Sequence, residues 1–270
     1  LLAISHAQHR RLAEVVGPDI RVELAMRYGR PAIASGLEAL RRAGTRRILV
    51  LPLYPQYSGT TTASVFDTVT AEIRRWRWIP ELRFVNQYHD DAGYIQALAD
   101  SVQAFQETNG RPDQLIMSFH GLPQAYCEAG DPYYCHCQKT ARLLAERLQL
   151  ASADYRVTFQ SRLGVKAWLK PYTDETLKAL PAQGVRRIQV LCPGFSADCL
   201  ETLEEVAMEN RDFFLGAGGE SYQYIPCLND SAGHIRFLRD LIERHLQGWE
   251  RVTGGDPASL TRAQALGAKH

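Results

Sequence analysis

The chain has no apolar run approaching the roughly 20 residues that a membrane-spanning helix requires. Residues 1–4 form an apolar run that is too short for a secretory leader and has no basic residues before it. Net charge is also nearly absent, because 31 basic and 30 acidic residues leave a formal charge of +1. The sequence therefore predicts a cytoplasmic protein without transmembrane segments and without a nucleic-acid-binding surface.

Cysteine is scarce as well, with six residues in 270. Disulfides are rare in proteins without a secretory leader, so these cysteines are expected to be free thiols or metal ligands. The remaining composition, 45% hydrophobic and 23% charged, is ordinary for a globular protein, and the length allows one large core or two modest ones.

Segments that resemble strands alternate with segments of helical periodicity along the whole chain. Such alternation predicts an α/β fold in which parallel sheets are flanked by helices. The predicted strands are residues 20–24, 47–53, 82–85, 115–119, 155–159, 187–191 and 222–225. The predicted helices are an amphipathic segment near the start of the chain and residues 31–43, 63–76, 94–108, 139–148, 173–180, 200–214 and 232–246.

A polar, turn-rich segment at residues 109–113 is the predicted seam between two domains. It separates an N-terminal domain at residues 1–109 from a C-terminal domain at residues 110–252. Residues 253–270 are rich in Ala, Gly and polar side chains and are expected to form a disordered tail.

The most informative segment is residues 115–123, LIMSFHGLP, in which an apolar strand ends abruptly at His120 and Gly121. In an open α/β sheet, ligands bind in the crevice at the carboxyl ends of the strands. A histidine there can bind a metal or carry a proton near neutral pH, and the adjacent glycine lets a flat ligand approach the backbone. The alternative is a loop histidine that only terminates the strand.

A second motif, CPGFSADCLETLEE at residues 192–205, follows another apolar strand and leads into an acidic helix start. Asp198 and Glu201 have the spacing of a capping box, so capping is one interpretation of Glu201 and a functional carboxylate is the other. Glu205 lies one turn further on the same face and is either a second carboxylate of the site or a solvated residue.

These motifs, with LYPQYS at residues 53–58, GDPY at 130–133 and FQSR at 159–162, resemble the ferrochelatase family in content and order. The resemblance covers about residues 28–246 and looks most like the proteobacterial branch that makes protohaem. It implies two Rossmann-like domains of the chelatase type with a cleft between them. It also implies an enzyme of the lyase class that inserts Fe²⁺, its substrate, into protoporphyrin IX and releases two protons.

The catalytic pair of that family falls on His120 and Glu201, which the resemblance makes both the catalytic residues and the Fe²⁺ ligands. Metallation exchanges two pyrrole protons for one divalent cation, so the site needs a base, a proton path and a place for the cation. Which of the two side chains binds iron and which moves protons stays open from the sequence.

Five further side chains are predicted to line the porphyrin pocket: Tyr54, Tyr57, Ser58, Thr62 and Glu205. The first four follow a strand end, where turn residues and helix caps are the alternative interpretation. A further set, Cys127, Cys135, Cys137 and Cys227, combines short spacings with one distant cysteine, as ligands of iron–sulfur clusters do. A [2Fe–2S] cluster on these thiols is one hypothesis, and free thiols are the other.

The first strand and the lip of the porphyrin pocket in that family have no counterpart in this chain, so we expect a fragment or truncated copy with weak or absent turnover. The enzymatic alternative is a coproporphyrin III ferrochelatase, and the non-enzymatic one is a porphyrin- or haem-binding remnant. We expect a monomer. The basic and aromatic run at residues 74–78 is interpreted as a solvated helix end, with peripheral membrane contact as the alternative.

Overall fold

A computed structural model of the chain describes residues 1–249 and 257–268, and its strands form two parallel sheets. The smaller sheet pairs β1 (Arg47–Val50) with β2 (Glu81–Phe84). The larger sheet has the order β4–β3–β5–β6. Its strands are β3 (Gln114–His120), β4 (Tyr155–Gln160), β5 (Arg187–Leu191) and β6 (Ser221–Tyr224). All pairings are parallel, as predicted from the alternation of strands and helices.

Helices connect and flank these strands. They are α1 (Leu2–Val16), α2 (Ile33–Arg42), α3 (Thr62–Ile73), α4 (Ala92–Asn109), α5 (Gln124–Glu128), α6 (Tyr133–Leu148), α7 (Thr173–Ala179), α8 (Asn210–Gly216), α9 (Ala232–His245) and α10 (Pro257–Ala265). A 3₁₀ turn covers Pro181–Gln183, and a π-helix covers Glu201–Glu209. Within the described ranges, no helix is both long enough and apolar enough to cross a membrane.

Strand β3 lies in the interior of the larger sheet and is buried on both faces. Because successive side chains of a strand point to opposite faces, Leu115 and Met117 enter one hydrophobic cluster and Ile116 enters the other. A strand buried on both sides needs a continuous apolar run, which is why residues 115–117 contain no polar side chain. This strand is the rigid support that ends at His120.

The smaller sheet has a separate and more modest core, built from Ile48 of β1 and apolar side chains of α2 and α3. Helix α4, which precedes the predicted seam at residues 109–113, packs against α6 and α9 of the larger sheet. Helix α1 also packs against α9. The packing of α4 therefore joins the segment before the predicted seam to elements that follow it.

The predicted strand at residues 20–24 is not formed, and this prediction is wrong. Residues 21–25 have no strand assignment, and only an isolated bridge between Met26 and Ala32 follows them. A strand exists only when its backbone groups pair with a neighbour, and within the described residues β1 pairs with β2 alone.

The tail predicted to be disordered, residues 253–270, contains helix α10 in its described part, so the prediction is wrong for residues 257–265. Proline at the first helical position and good helix formers such as Ala, Leu, Gln and Arg account for this helix. Residues 253–256 and 269–270 lie outside the described residues.

Candidate active site

A cleft of about 2070 Å³ lies between the carboxyl end of β3 and the loop that follows β1. Its walls are mostly apolar and come from both halves of the chain. His120, at the carboxyl end of β3, and Glu201 are two polar side chains that line it. Neighbouring parts of the wall are Tyr54, Thr60, Thr61, Gly121, Leu122, Tyr133, the loop at residues 163–168, Gly194, Phe195 and Cys199.

His120 is the last residue of β3 and is half-buried. Its Nδ1 lies 2.7 Å from the carbonyl oxygen of Gly121. Because a carbonyl can only accept, Nδ1 carries a proton in this contact. The Phe195 ring lies beside the imidazole, with centroids 6.4 Å apart. The fold therefore leaves Nε2 as the ring nitrogen that is available to other groups.

The glycine after His120 is required by close packing. A Cβ added to Gly121 would lie 2.7 Å from the carbonyl oxygen of Gln160 in the adjacent strand β4. Real side chains essentially never approach a backbone oxygen so closely, so any other residue would push β4 or the His120 loop away. The sequence signal His-Gly thus reflects strand packing as well as ligand access.

Glu201 is the first residue of the π-helix and is exposed to the cleft. A hydrogen bond from the Cys199 thiol lowers the pKa of this carboxyl, and the nearby His120 contributes in the same direction. Both effects favour the carboxylate at neutral pH. Gln160 donates its side-chain amide to the Glu201 carbonyl at 3.1 Å, which ties the start of the π-helix to β4.

The capping box predicted for Asp198 and Glu201 is not formed. The Asp198 amide donates to Asn229 Oδ1 at 2.8 Å instead of to Glu201. The buried Asp198 carboxylate accepts from Tyr224 Oη at 2.6 Å and from Asn229 Nδ2 at 2.7 Å. Burial alone raises the pKa of Asp198, but these hydrogen bonds outweigh it and the pKa is lowered. Asp198 therefore anchors the approach to the π-helix and leaves Glu201 free for the cleft.

Glu205 is bound elsewhere. Its carboxylate accepts the Ser161 amide at 2.6 Å and also the Ser161 hydroxyl. Ser161 has a φ of 62°, a left-handed conformation that is unfavourable for residues other than glycine. The two hydrogen bonds hold this conformation at the end of β4, where the chain turns into the cleft loop at residues 163–168. Glu205 is not among the side chains that line the cleft.

Of the other predicted pocket residues, one lines the cleft and three do not. Tyr54 lines the cleft, and burial raises the pKa of its hydroxyl. Tyr57, Ser58 and Thr62 lie behind the wall, with the Tyr57 amide donating to Nδ1 of His136 and with Ser58 and Thr62 buried. Contact of Tyr57, Ser58, Thr62 and Glu205 with a porphyrin stays a prediction that this arrangement does not favour.

The four cysteines predicted to hold a [2Fe–2S] cluster do not converge. Cys137 is buried in the cluster on one face of the larger sheet, Cys227 in the cluster on the other, and Cys135 is exposed. Across residues 1–249 and 257–268, no group of three or more His, Cys, Asp or Glu side chains is arranged to hold a metal ion. Because such a cluster needs four converging ligands, Cys127, Cys135, Cys137 and Cys227 do not fit it.

Two residues at the site were not predicted from the sequence as functional: Cys199 and Phe195. Cys199 lines the cleft, and burial together with Glu201 raises the pKa of its thiol to about 12. Their position in the motif at residues 192–205, between a strand end and Glu201, was the available signal.

Comparison with solved structures identifies the class of protein. SirB from Bacillus subtilis with Fe³⁺ superposes with a TM-score of 0.66 over 92% of this chain and 91% of that one, at 13% sequence identity. The sirohydrochlorin chelatase SirB from Bacillus subtilis subspecies spizizenii in complex with cobalt gives a TM-score of 0.63 over 92% of each chain, at 12% identity. At this identity the likeness defines the fold, which is of the chelatase type.

Sequence relatives define the family. The ferrochelatase family model matches residues 1–246. Ferrochelatase from Thioalkalivibrio sulfidiphilus is 56% identical over 264 residues, which are 95% of this chain and 72% of that protein. Ferrochelatase from Nitrosococcus oceani is 54% identical over 262 residues, or 94% and 71% of the two chains. The chain belongs to the ferrochelatase family, whose members insert iron into a porphyrin.

Proposed function

We propose that the chain inserts Fe²⁺ into protoporphyrin IX to form protohaem, with His120 as the base and Glu201 as the carboxylate that receives the cation. The observation that carries this proposal is that one mostly apolar cleft contains both an imidazole whose Nδ1 is held by the Gly121 carbonyl and a carboxyl whose pKa is lowered by the Cys199 thiol. Neither group alone would supply both the proton acceptor and the cation site.

The reaction breaks two pyrrole N–H bonds and forms bonds from the ring nitrogens to one divalent cation, so charge balances when two protons leave. His120 Nε2 accepts the pyrrole protons one at a time and releases the first towards solvent before it takes the second, since Nδ1 is committed to the Gly121 carbonyl. Glu201 offers oxygen ligands to Fe²⁺ as the cation loses water, and it lies on the exposed side of the cleft, towards which protons can leave. The apolar walls bind the faces of the macrocycle by removing them from water.

Protoporphyrin IX is the favoured porphyrin because the cleft walls are mostly apolar. Coproporphyrin carries more carboxylates and fewer apolar substituents, so it would bury less apolar surface against such walls. We further propose a cytoplasmic monomer with a domain seam at residues 109–113. Support for these finer points comes from the composition and from the turn-rich seam.

The decisive experiment follows the absorbance of protoporphyrin with Fe²⁺ and purified protein under anaerobic conditions. Slow but repeated conversion to protohaem is expected, in keeping with the weak turnover expected of this chain, and His120→Ala should lower that turnover by at least about 100-fold, the lower range for loss of a positioned base. Porphyrin affinity should stay near wild type, because burial of the apolar faces supplies most of it.

His6→Ala, a change at an exposed histidine of α1 outside the cleft, is the matched control and should keep full turnover. A static bound spectrum from the wild-type protein would identify a porphyrin-binding protein instead of an enzyme. Faster turnover with coproporphyrin III than with protoporphyrin IX would contradict the proposed substrate.

A further inference from the structure

The loop after β1 is bonded to the start of α6 at consecutive positions. The Gln56 side-chain amide donates to Thr140 Oγ1 at 3.0 Å, and the Tyr57 amide donates to His136 Nδ1 at 3.2 Å. The next two residues, Ser58 and Gly59, bond to the segment that leads into α6. These contacts join the wall contributed by the smaller sheet to an element of the larger sheet.

Ser58 and Gly59 both donate hydrogen bonds to Asp131. Its Oδ2 accepts from Ser58 Oγ at 2.9 Å and from the Gly59 amide at 2.7 Å, while its Oδ1 accepts from the Tyr133 amide at 3.0 Å. Ser58 is completely buried, so the donor end of this part-buried bond is shielded from water. Hydrogen bonds to an ionised acceptor are stronger than neutral ones, and shielding strengthens them further.

The same path continues to the catalytic strand. The buried Tyr133 donates its hydroxyl to the carbonyl oxygen of His120 at 2.9 Å. At the other end, Thr60 and Thr61 follow directly after Gly59 and line the cleft. A continuous path of hydrogen bonds and covalent bonds therefore runs from the wall at residues 60–61, through Gly59, Asp131 and Tyr133, to His120.

We propose that Asp131 is a positioning residue that fixes the separation between this wall and His120, and so holds the porphyrin where the imidazole can reach its pyrrole protons. The inference rests on the proposed role of His120. A local role, in which Asp131 only caps the first turn of α6 through the Tyr133 amide, would not need the bonds to Ser58 and Gly59.

The test compares Asp131→Asn, Ser58→Ala, the double variant and Asp212→Asn, a control at an exposed aspartate outside the cleft. A hydrogen bond to a charged group typically changes a rate or an affinity by roughly 10- to 100-fold. Asp131→Asn should therefore lower kcat/KM for porphyrin by about that factor and leave the KM for Fe²⁺ unchanged. Ser58→Ala should cause a smaller loss, and the double variant should be no worse than Asp131→Asn alone, because both remove the same link.

Amide hydrogen exchange of residues 59–61 supplies a measurement that is independent of turnover. Exchange should be at least about tenfold faster in Asp131→Asn, because a charge-assisted hydrogen bond is lost. Should Asp131→Asn not fold, Ser58→Ala decides by the same two measurements. Exchange and kcat/KM equal to those of Asp212→Asn, or fully additive losses in the double variant, would overturn the positioning role. A His120→Ala variant that kept its turnover would instead refute the proposed mechanism. The hydrogen-exchange measurement would still show whether Asp131 holds residues 59–61 in place.

Discussion

The two sheets contribute to the site in different ways. The larger sheet is covered by hydrophobic clusters on both faces, and its strand ends carry His120 on β3 and the loop from β5 to Glu201. The smaller sheet has one modest core and contributes Tyr54 and the two threonines of the cleft wall. The strand that is buried on both faces thus carries His120, whereas the smaller sheet supplies part of the cleft wall.

The largest expected effect concerns Glu201, one of the two side chains that are proposed to take part in the reaction. Glu201→Gln keeps size and hydrogen-bonding ability but removes the charge that is proposed to receive Fe²⁺, so turnover should fall by about 100-fold, in the range seen when a positioned electrostatic group of an active site is lost. Anaerobic steady-state kinetics measure it. Glu204→Gln on the same π-helix, exposed and outside the cleft, is the control and should stay within about twofold of wild type. Similar losses in both variants would remove the special role of Glu201.

The next prediction compares the free energy of unfolding that is lost when one apolar side chain is removed from each sheet. Met117 is fully buried in β3, so Met117→Ala should cost about 3 kcal/mol of unfolding free energy through lost burial and a residual cavity. Leu82 in β2 is only half-buried, so Leu82→Ala should cost about 1 kcal/mol, in proportion to the smaller area lost. Urea denaturation measures both. Equal costs would contradict the contrast between the two cores.

The wall residue should affect binding more than chemistry. Tyr54→Ala removes a half-buried aromatic side chain from the cleft, so the KM for porphyrin should rise by roughly tenfold, the equivalent of about 1.4 kcal/mol. The kcat value should change by less than about threefold, because Tyr54 contributes uniform binding in this scheme. A large fall in kcat with an unchanged KM would instead show that Tyr54 takes part in the chemical step.

The last prediction concerns a pH dependence at the contact between the segment after β2 and helix α6. His89 stacks on His136 with ring centroids 3.7 Å apart, and burial lowers the pKa of His89 to about 4. The second histidine, Asp90 and Lys139 also face this ring. A histidine pKa lowered by folding means that the unfolded chain binds more protons between pH 6.5 and 4, so stability should fall as pH falls through that window.

The slope from this one group is at most about 1.4 kcal/mol per pH unit. His89→Gln should flatten that part of the stability profile, measured by urea denaturation at several pH values. His6→Gln, at an exposed position, should leave the profile unchanged. An unchanged slope in His89→Gln would show that other groups cause the acid sensitivity.

Local pattern was sufficient to predict much of this molecule. The apolar runs at residues 115–119 and 187–191 became β3 and β5, and the helical periodicities became α2, α3, α4, α7 and α9 with shifts of a few residues. The motif order placed His120 and Glu201 in one cleft. These features follow from hydrophobic periodicity and strand-end chemistry, which are properties of contiguous sequence.

Other features depend on which distant residues meet. Cys135 and Cys137 are two positions apart, which rotates them by about 200° around α6, so one is exposed and the other is buried. Glu205 was predicted near the substrate but binds Ser161, 44 positions away in sequence. The helix at residues 200–214 was predicted as one element, yet its first part is a π-helix.

The sequence by itself determined the α/β alternation and the family motifs, including the pair of side chains proposed to react, because these depend on burial period and residue chemistry. Only the tertiary structure decided that Asp198 leaves Glu201 free, that Asp131 links the wall to His120, and that four cysteines stay apart. Each of these depends on a hydrogen bond or a distance between separate elements, which is set when helices and strands pack and not by any local pattern.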